Sequence, residues 1–211
     1  MRLERDFYTR NTILVARELL GKTLVYQSKD QLYKGKIVEV EAYINANDDA
    51  AHFSKGLTDR TRVVAEEGGH IYMYTIYGMY ECFNVIAEKE GVHGGVLIRG
   101  IEPLEGIERM YENRFKKPFN NPPKRELINI SNGPAKFVMA YGIKKADFYG
   151  RDLVTDPDIW LEDNPKIPHE QIIRTPRINV DYAKAKDYLL RFNIKDNPYV
   201  SKRTKSKKKV K

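Results

Sequence analysis

Two short runs of alternating residues, 22–27 and 33–43, constrain this chain more than anything else in it. Only the polar turn Ser28-Lys29-Asp30-Gln31 separates them, so they read as paired strands. Side chains alternate across a strand, which places Val38, Val40 and Ala42 on one face and Ile37, Glu39, Glu41 and Tyr43 on the other. Two carboxylates then stand roughly 6–7 Å apart on the same face. A tyrosine-rich strand follows at 71–75 and runs to Tyr77-Gly78, where glycine allows a turn; 81–87 reads as its returning partner and 95–99 as another strand.

Helices are expected around this sheet. Asn11 suits an N-cap for a helix through Leu20, stopped by Gly21. Glu102-Pro103 reads as the start of a helix with Ile107, Met110 and Tyr111 at i, i+3 and i+4. Ser131-Asn132-Gly133-Pro134 precedes a helix through Tyr141, stopped by Gly142. Residues 116–124 form a Pro/Asn-rich linker, 150–180 short strands and turns, 182–189 a helix and 190–194 a last strand. The polar stretch 45–69 is too long for a simple connection, and such loops often carry function. The pattern predicts one α+β domain over residues 1–201, with an antiparallel-rich sheet and no internal repeat.

The net charge of +8 is unevenly distributed. Residues 202–211 hold six Lys, one Arg and no acid, so residues 1–201 carry only +1. The Lys-rich tail is expected to be disordered, and could attract phosphate without regard to sequence or serve as an address. No apolar stretch approaches the ~20 residues of a membrane span. One cysteine, Cys82, excludes an internal disulfide, fits a reducing compartment and reads as a small buried apolar residue. No phosphate-binding glycine loop, dinucleotide fingerprint, nucleophile-elbow serine or metal-spaced histidine set is present, so neither a cofactor nor a metal is expected.

Taken in order, Glu39-Val40-Glu41-Ala42-Tyr43, His52, Tyr72–Tyr80 with its Tyr-Gly-Met, Asn84, Leu97-Ile98-Arg99 with Glu102-Pro103, and Asn132-Gly133-Pro134 form a recognisable series. It resembles the 3-methyladenine (alkyladenine) DNA glycosylase family of the mammalian type, also found in bacteria. The similarity runs from about Leu14 to Ser201, including Leu190-Arg191-Phe192 and Pro198-Tyr199-Val200-Ser201. It implies a compact domain with a curved antiparallel sheet, and a base-excision repair enzyme working without cofactor or metal. Such an enzyme flips an alkylated purine out of double-stranded DNA and hydrolyses its N-glycosidic bond, acting as a monomer in the cytoplasm near the nucleoid, or in the nucleus if the source is eukaryotic.

The resemblance also implies roles for individual residues. Glu41 becomes the base that activates water, with Arg99 helping to hold it, while Glu39 is mainly structural. A carboxylate suits this chemistry because the sugar develops oxocarbenium character as the bond breaks. Tyr43, His52 and Tyr74 match aromatic walls around the flipped base, and Asn84 matches a residue that excludes normal guanine. Tyr77 matches the wedge that fills the gap in the duplex, with Met79 beside it. Lys136, Thr58 and Arg60 match residues near the DNA backbone. Two departures stand out: 63–70 carries Glu66-Glu67 where Met-Phe and Pro-Gly are common, and Gly100 replaces a usual alanine. The rival functions are a damaged-DNA binder without turnover, which would not need Glu41 with Arg99, and a nucleoside hydrolase, which would not need the wedge.

Overall fold

The computed structural model describes residues 1–45 and 47–201; the expectation for the tail at 202–211 lies outside these. In chain order the elements are α1 (Arg5–Tyr8), α2 (Thr12–Leu19), β1 (Thr23–Gln27), β2 (Leu32–Ile44), β3 (Ile71–Ile76), β4 (Tyr80–Ile86) and β5 (Gly94–Glu105). Then follow α3 (Ile107–Phe115), α4 (Lys124–Asn129), α5 (Pro134–Tyr141), α6 (Lys145–Phe148), β6 (Ile159–Glu162), β7 (Ile172–Thr175) and β8 (Arg191–Ile194). The eight strands form one open antiparallel sheet in the order β3-β4-β5-β2-β1-β6, with β8 pairing β2 and β7 pairing β8.

The long strand β2 organises the sheet. Along one side it pairs with β5 throughout; on the other it pairs with β1 over Leu32–Lys36 and then with β8 over Glu39–Glu41. The change of partner coincides with register shifts between Ile37 and Val40. Such bulges bend a strand and re-aim its side chains. The expected alternation fails at this point: Ile37 joins Val40 and Ala42 in the main core, while Val38 is buried outside that cluster. Beyond the bulge the alternation resumes, and Glu39, Glu41 and Tyr43 come together as expected.

The core lies between the sheet and α2, α3 and α5. Val15, Ala16 and Leu19 of α2, Met110 and Tyr111 of α3, and Phe137 and Tyr141 of α5 pack on Ile37, Val40, Phe83, Val96 and Ile98. Asn11 caps α2 by accepting from the Ile13 and Leu14 amides, and Gly142 ends α5 in the left-handed conformation. No helix of the described residues is long and apolar enough to cross a membrane.

Two expected helix boundaries are corrected. Glu102 and Pro103 extend β5, opposite Lys36 and Gly35, and the helix starts only after Gly106. Pro103 is tolerated because it adjoins the register shift at Lys34/Gly35, near the strand end, where a missing N–H costs little. Residues 182–189 do not form a helix. Only a 3-10 turn spans Lys184–Asp187, and the Asp49 carboxylate accepts from the Lys184 and Ala185 amides at 2.8 and 3.0 Å. A side chain from a distant loop thus takes bonds that a continuing helix would have made.

Gly35 in β2 has no space for a side chain: a Cβ there would meet Ile101 Cγ2 at 2.2 Å and Tyr141 Oη at 2.6 Å. Overpacking of a core typically costs about 1–3 kcal/mol. Gly35→Ala is expected to lower stability by that amount, read as a shift in urea midpoint, and an unchanged midpoint would show that β2 and α5 can move apart freely.

Candidate active site

Beyond the bulge in β2, two glutamates face one arginine. Arg99 of β5 places Nε 3.1 Å from Glu39 Oε1 and Nη1 3.2 Å from Glu41 Oε2, with both carboxylates fully buried. Burial alone would push the guanidinium down; the charges of Glu41 and Glu39 outweigh it and hold Arg99 above its ordinary value.

The two carboxylates differ in what holds them. Glu39 Oε1 accepts from Arg99 Nε, Arg191 Nε at 2.6 Å and Ser201 Oγ at 2.8 Å, while Oε2 accepts from the Ser201 amide at 2.6 Å. Glu39 thus holds four donors, three on Oε1 and one on Oε2. Glu41 has three partners: Arg99 Nη1, the Tyr43 hydroxyl at 3.0 Å on Oε2, and the Ile178 amide at 2.7 Å on Oε1. Oε2, toward Tyr43 and Arg99, thus holds two donors, and Oε1 holds one.

Tyr43, Arg99 and Ile178, the three partners of Glu41, all border a cavity of about 790 Å³. That volume lies within the range of sites for small organic groups, about 300–1,000 Å³. Glu41 itself lies immediately behind this wall. The cavity is aromatic on one side: Tyr72 and Tyr74 from β3 stand 5.6 Å apart by ring centroid, and His52 meets Tyr74 edge-on at 4.4 Å. His52 Nδ1 is 3.0 Å from the Tyr72 hydroxyl. Burial, and then the charge of Arg60, lower the His52 pKa below its ordinary value of 6.5. Burial raises Tyr43 and Tyr74 well above their ordinary values, with Glu41 contributing to both, so each keeps its hydroxyl proton. Burial likewise pushes the Cys82 thiol up to about 11, which fits the apolar reading of that residue.

Asn84 borders the cavity and donates to the Tyr72 carbonyl at 3.0 Å. Lys136 reaches the cavity from the first turn of α5, donating to Asn129 Oδ1 at 2.5 Å and Asn132 Oδ1 at 2.7 Å. At the β3–β4 tip, Tyr77 and Gly78 both have positive φ, 51° and 70°, and the Met79 amide donates to the Ile76 carbonyl at 3.2 Å. This is the turn type that suits a twisted hairpin, but it strains a tyrosine. Tyr77 stays 79% exposed beside the cavity mouth, with Met79 exposed next to it. Thr58 and Arg60 are exposed residues of the 45–69 stretch and do not line the cavity, Thr58 being bonded to Thr61 and the Arg60 carbonyl to Tyr149. Of the two acids in the departing segment, Glu67 pairs with Arg5 at 3.2 Å.

Sequence reasoning did not single out Arg177. Its guanidinium grips Asp48 at 2.7 and 2.6 Å, donates to the Ala42 carbonyl at 3.0 Å and lies 4.6 Å above the Tyr43 ring. It fastens the loop that presents the Ile178 amide to Glu41, across a separation of 129 residues that no local pattern reveals. Tyr72 was legible, since it shares the β3 face with Tyr74.

A family model described as methylpurine-DNA glycosylase (MPG) matches residues 6–198. A protein of Clostridium perfringens is 50% identical over 206 residues, covering 96% of this chain and 100% of its own. Proteins of Clostridium novyi, at 48% over 204 residues (96% and 99%), and Methanocella arvoryzae, at 46% over 203 residues (95% and 96%), are similar throughout. All three bear the name "Putative 3-methyladenine DNA glycosylase". The chain belongs to the methylpurine-DNA glycosylase family.

Proposed function

We propose that this chain excises alkylated purines from double-stranded DNA, using Glu41 to activate water and acting as a monomer formed by residues 1–201. Family membership makes it a DNA glycosylase, a hydrolase of N-glycosyl bonds. The observation that carries the reading is that Glu41, immediately behind the wall of an aromatic cavity, has among its partners the cavity-lining Tyr43 hydroxyl, which water can replace, while Glu39 next to it is fastened by two arginines and Ser201. A base everted into the cavity stacks among Tyr43, Tyr74 and His52, where stacking is worth ~1–3 kcal/mol per base. A cationic alkylated purine gains further from the ring faces and leaves without needing a proton.

Tyr77 supports the duplex part of the proposal. An exposed aromatic ring held in a strained turn suits insertion into a base stack, where it offsets part of the few kcal/mol lost on unstacking. Lys136, which also borders the cavity, suits a nearby phosphate. Arg60 and Thr58 are proposed to meet the backbone farther out, Met79 to flank the wedge, and Asn84 to use its free carbonyl oxygen at the base edge.

Water reaches Glu41 in this scheme by displacing the Tyr43 hydroxyl from Oε2, since apo hydrogen bonds often rearrange on substrate binding. Glu41→Gln is expected to keep binding abasic-analogue DNA while single-turnover excision of 7-methylguanine falls ~10²–10⁴-fold. Tyr43→Phe removes only a group that must move aside, so excision should stay within about tenfold of wild type. Near wild-type excision by the Gln variant would refute the base assignment, and a Phe variant as slow as the Gln variant would refute the displacement.

The lowered His52 pKa gives a signed pH effect. The ring takes its proton at a lower pH than an ordinary imidazole, and once charged it would repel a cationic purine. Because the unfolded chain binds that proton more readily, the same group costs stability as pH falls below 6.5. Excision of 7-methylguanine is expected to drop more steeply on acidification than excision of neutral hypoxanthine, and His52→Gln should remove that difference. Parallel pH profiles for the two bases in the wild-type enzyme would defeat this account.

A further inference from the structure

We infer that Arg114 and Arg125 extend the Lys136 rim of the cavity into a cationic track that grips successive phosphates of the DNA backbone beside the everted nucleotide. This rests on the DNA-directed reading above and adds a contact surface to it. The segment that carries the track stands out by charge. Residues 107–136 hold seven Lys or Arg and three Glu, a net +4, so the rest of 1–201 carries −3. A body that is nearly neutral as a whole keeps its positive charge on one stretch. That stretch ends at the cavity, where Asn132, Pro134 and Lys136 form part of the wall.

The helices set the path outward. Lys136 Nζ donates at 2.5 Å to Oδ1 of Asn129, the last residue of α4. Arg125 lies four positions earlier on α4, hence one turn away on the same face, and it is exposed. Arg114 joins from α3, which packs with α5 in the core. Burial, and then the charge of Arg114, lower the Lys136 pKa below its ordinary value. Burial also lowers Arg114, and the Tyr80 hydroxyl offsets part of that effect. Tyr80 opens β4 directly after the turn that carries Tyr77, so Arg114 has both the hairpin tip and Lys136 as neighbours.

These cations are open to an anion. Lys136 meets the amide oxygens of Asn129 and Asn132 and no carboxylate among the described residues. Arg114 rests on the Phe115 ring at 5.3 Å, and its Nε has no partner among the described residues. The acids closest in sequence are engaged elsewhere: Glu112 pairs with Arg109 at 3.2 Å, and Glu126 with Lys117 at 2.8 Å and with the Tyr111 hydroxyl. Guanidinium groups suit the task, because their planar fork matches phosphate oxygens two at a time. One helical turn rises about 5.4 Å, between one and two phosphates of a strand at about 3.4 Å each along the axis.

The test measures binding of the full chain to a 25-base-pair duplex with a central abasic-site analogue across a salt series. Each neutralised phosphate contributes about 0.9 to the slope of log affinity against log salt, or about fivefold in affinity near 0.15 M when the lines meet at 1 M. Arg125→Gln and Arg114→Gln should each lose about one such contact and the double variant about two, with unchanged circular dichroism. Arg114→Lys should recover most of the slope, which a purely structural role for the half-buried side chain would not require. Undamaged duplex should show the same losses, since phosphates carry no information about the lesion. Lys29→Gln, in the β1–β2 turn away from the cavity wall, should leave the slope unchanged. A loss of less than half a unit in the exposed Arg125→Gln variant overturns the inference, as does an equal loss in Lys29→Gln. Excision from methylated duplex by wild type, run alongside, tests the enzymatic reading separately, because the slopes do not depend on turnover.

Discussion

The bridge from Arg99 to Glu39 and Glu41 is the interaction on which the site depends. One guanidinium spans two carboxylates on neighbouring positions of the same strand face, out of contact with solvent. Buried ion pairs are poor devices for stability, because desolvation consumes most of the attraction; what they do well is fix geometry. Here the bridge ties β2 to β5, and through Arg191 and Ser201 it also ties in β8 and the C-terminal segment. With one partner removed, a charge would remain buried without compensation, typically costing 3–5 kcal/mol. The cluster is therefore all or nothing. That property suits a site whose groups must stay aligned while a large substrate is bent against them.

The same cluster explains why two adjacent, equally buried glutamates need not be equivalent. Glu39 meets two arginines and both donors of Ser201, which fasten it on both oxygens. Glu41 lies two residues on, at the last position of β2 paired with β8, and on Oε1 it receives a single backbone donor, from Ile178. That donor is placed by Arg177 gripping Asp48, so the setting of Glu41 depends on a loop contact remote from the strand that carries it.

This division also marks what the sequence could reveal. Period-two spacing in β2 and β3 put Glu41 beside Tyr43 and Tyr72 beside Tyr74, because on a strand the neighbours on a face follow from chemistry two residues away. Tyr77-Gly78 announced a hairpin tip, and Asn11 and Gly142 marked helix ends, again by local rules. The bulge between Ile37 and Val40 was not legible, since it arises where β2 exchanges β1 for β8, strands far apart in the chain. Residues 102–103 misled because Pro after Glu looks like a helix start, while tertiary pairing with Gly35 carried the strand on to Glu105. Residues 182–189 misled because Asp49 supplied bonds that propensity assigned to a helix. Arg177 gave no signal at all: an arginine that grips a carboxylate 129 positions away is indistinguishable in sequence from one on the surface.

Charge balance at the site bears on how a cationic base could be preferred. Glu39 and Glu41 contribute two negative charges, and Arg99 and Arg191 cancel them within the same hydrogen-bonded cluster. Lys136 stands at the rim with amide partners in Asn129 and Asn132 and no carboxylate among them. The cavity therefore does not attract a cation through an excess of negative charge, and a selection mechanism built on such an excess would have to ignore the arginines. What remains is the aromatic wall, whose ring faces favour positive charge over short distances, and a His52 ring whose proton affinity is lowered by partial desolvation and by the charge of Arg60. On the proposed reading, discrimination would reside in stacking and in the ease with which a charged base departs, and a neutral purine would face a higher barrier with the same wall and the same carboxylate.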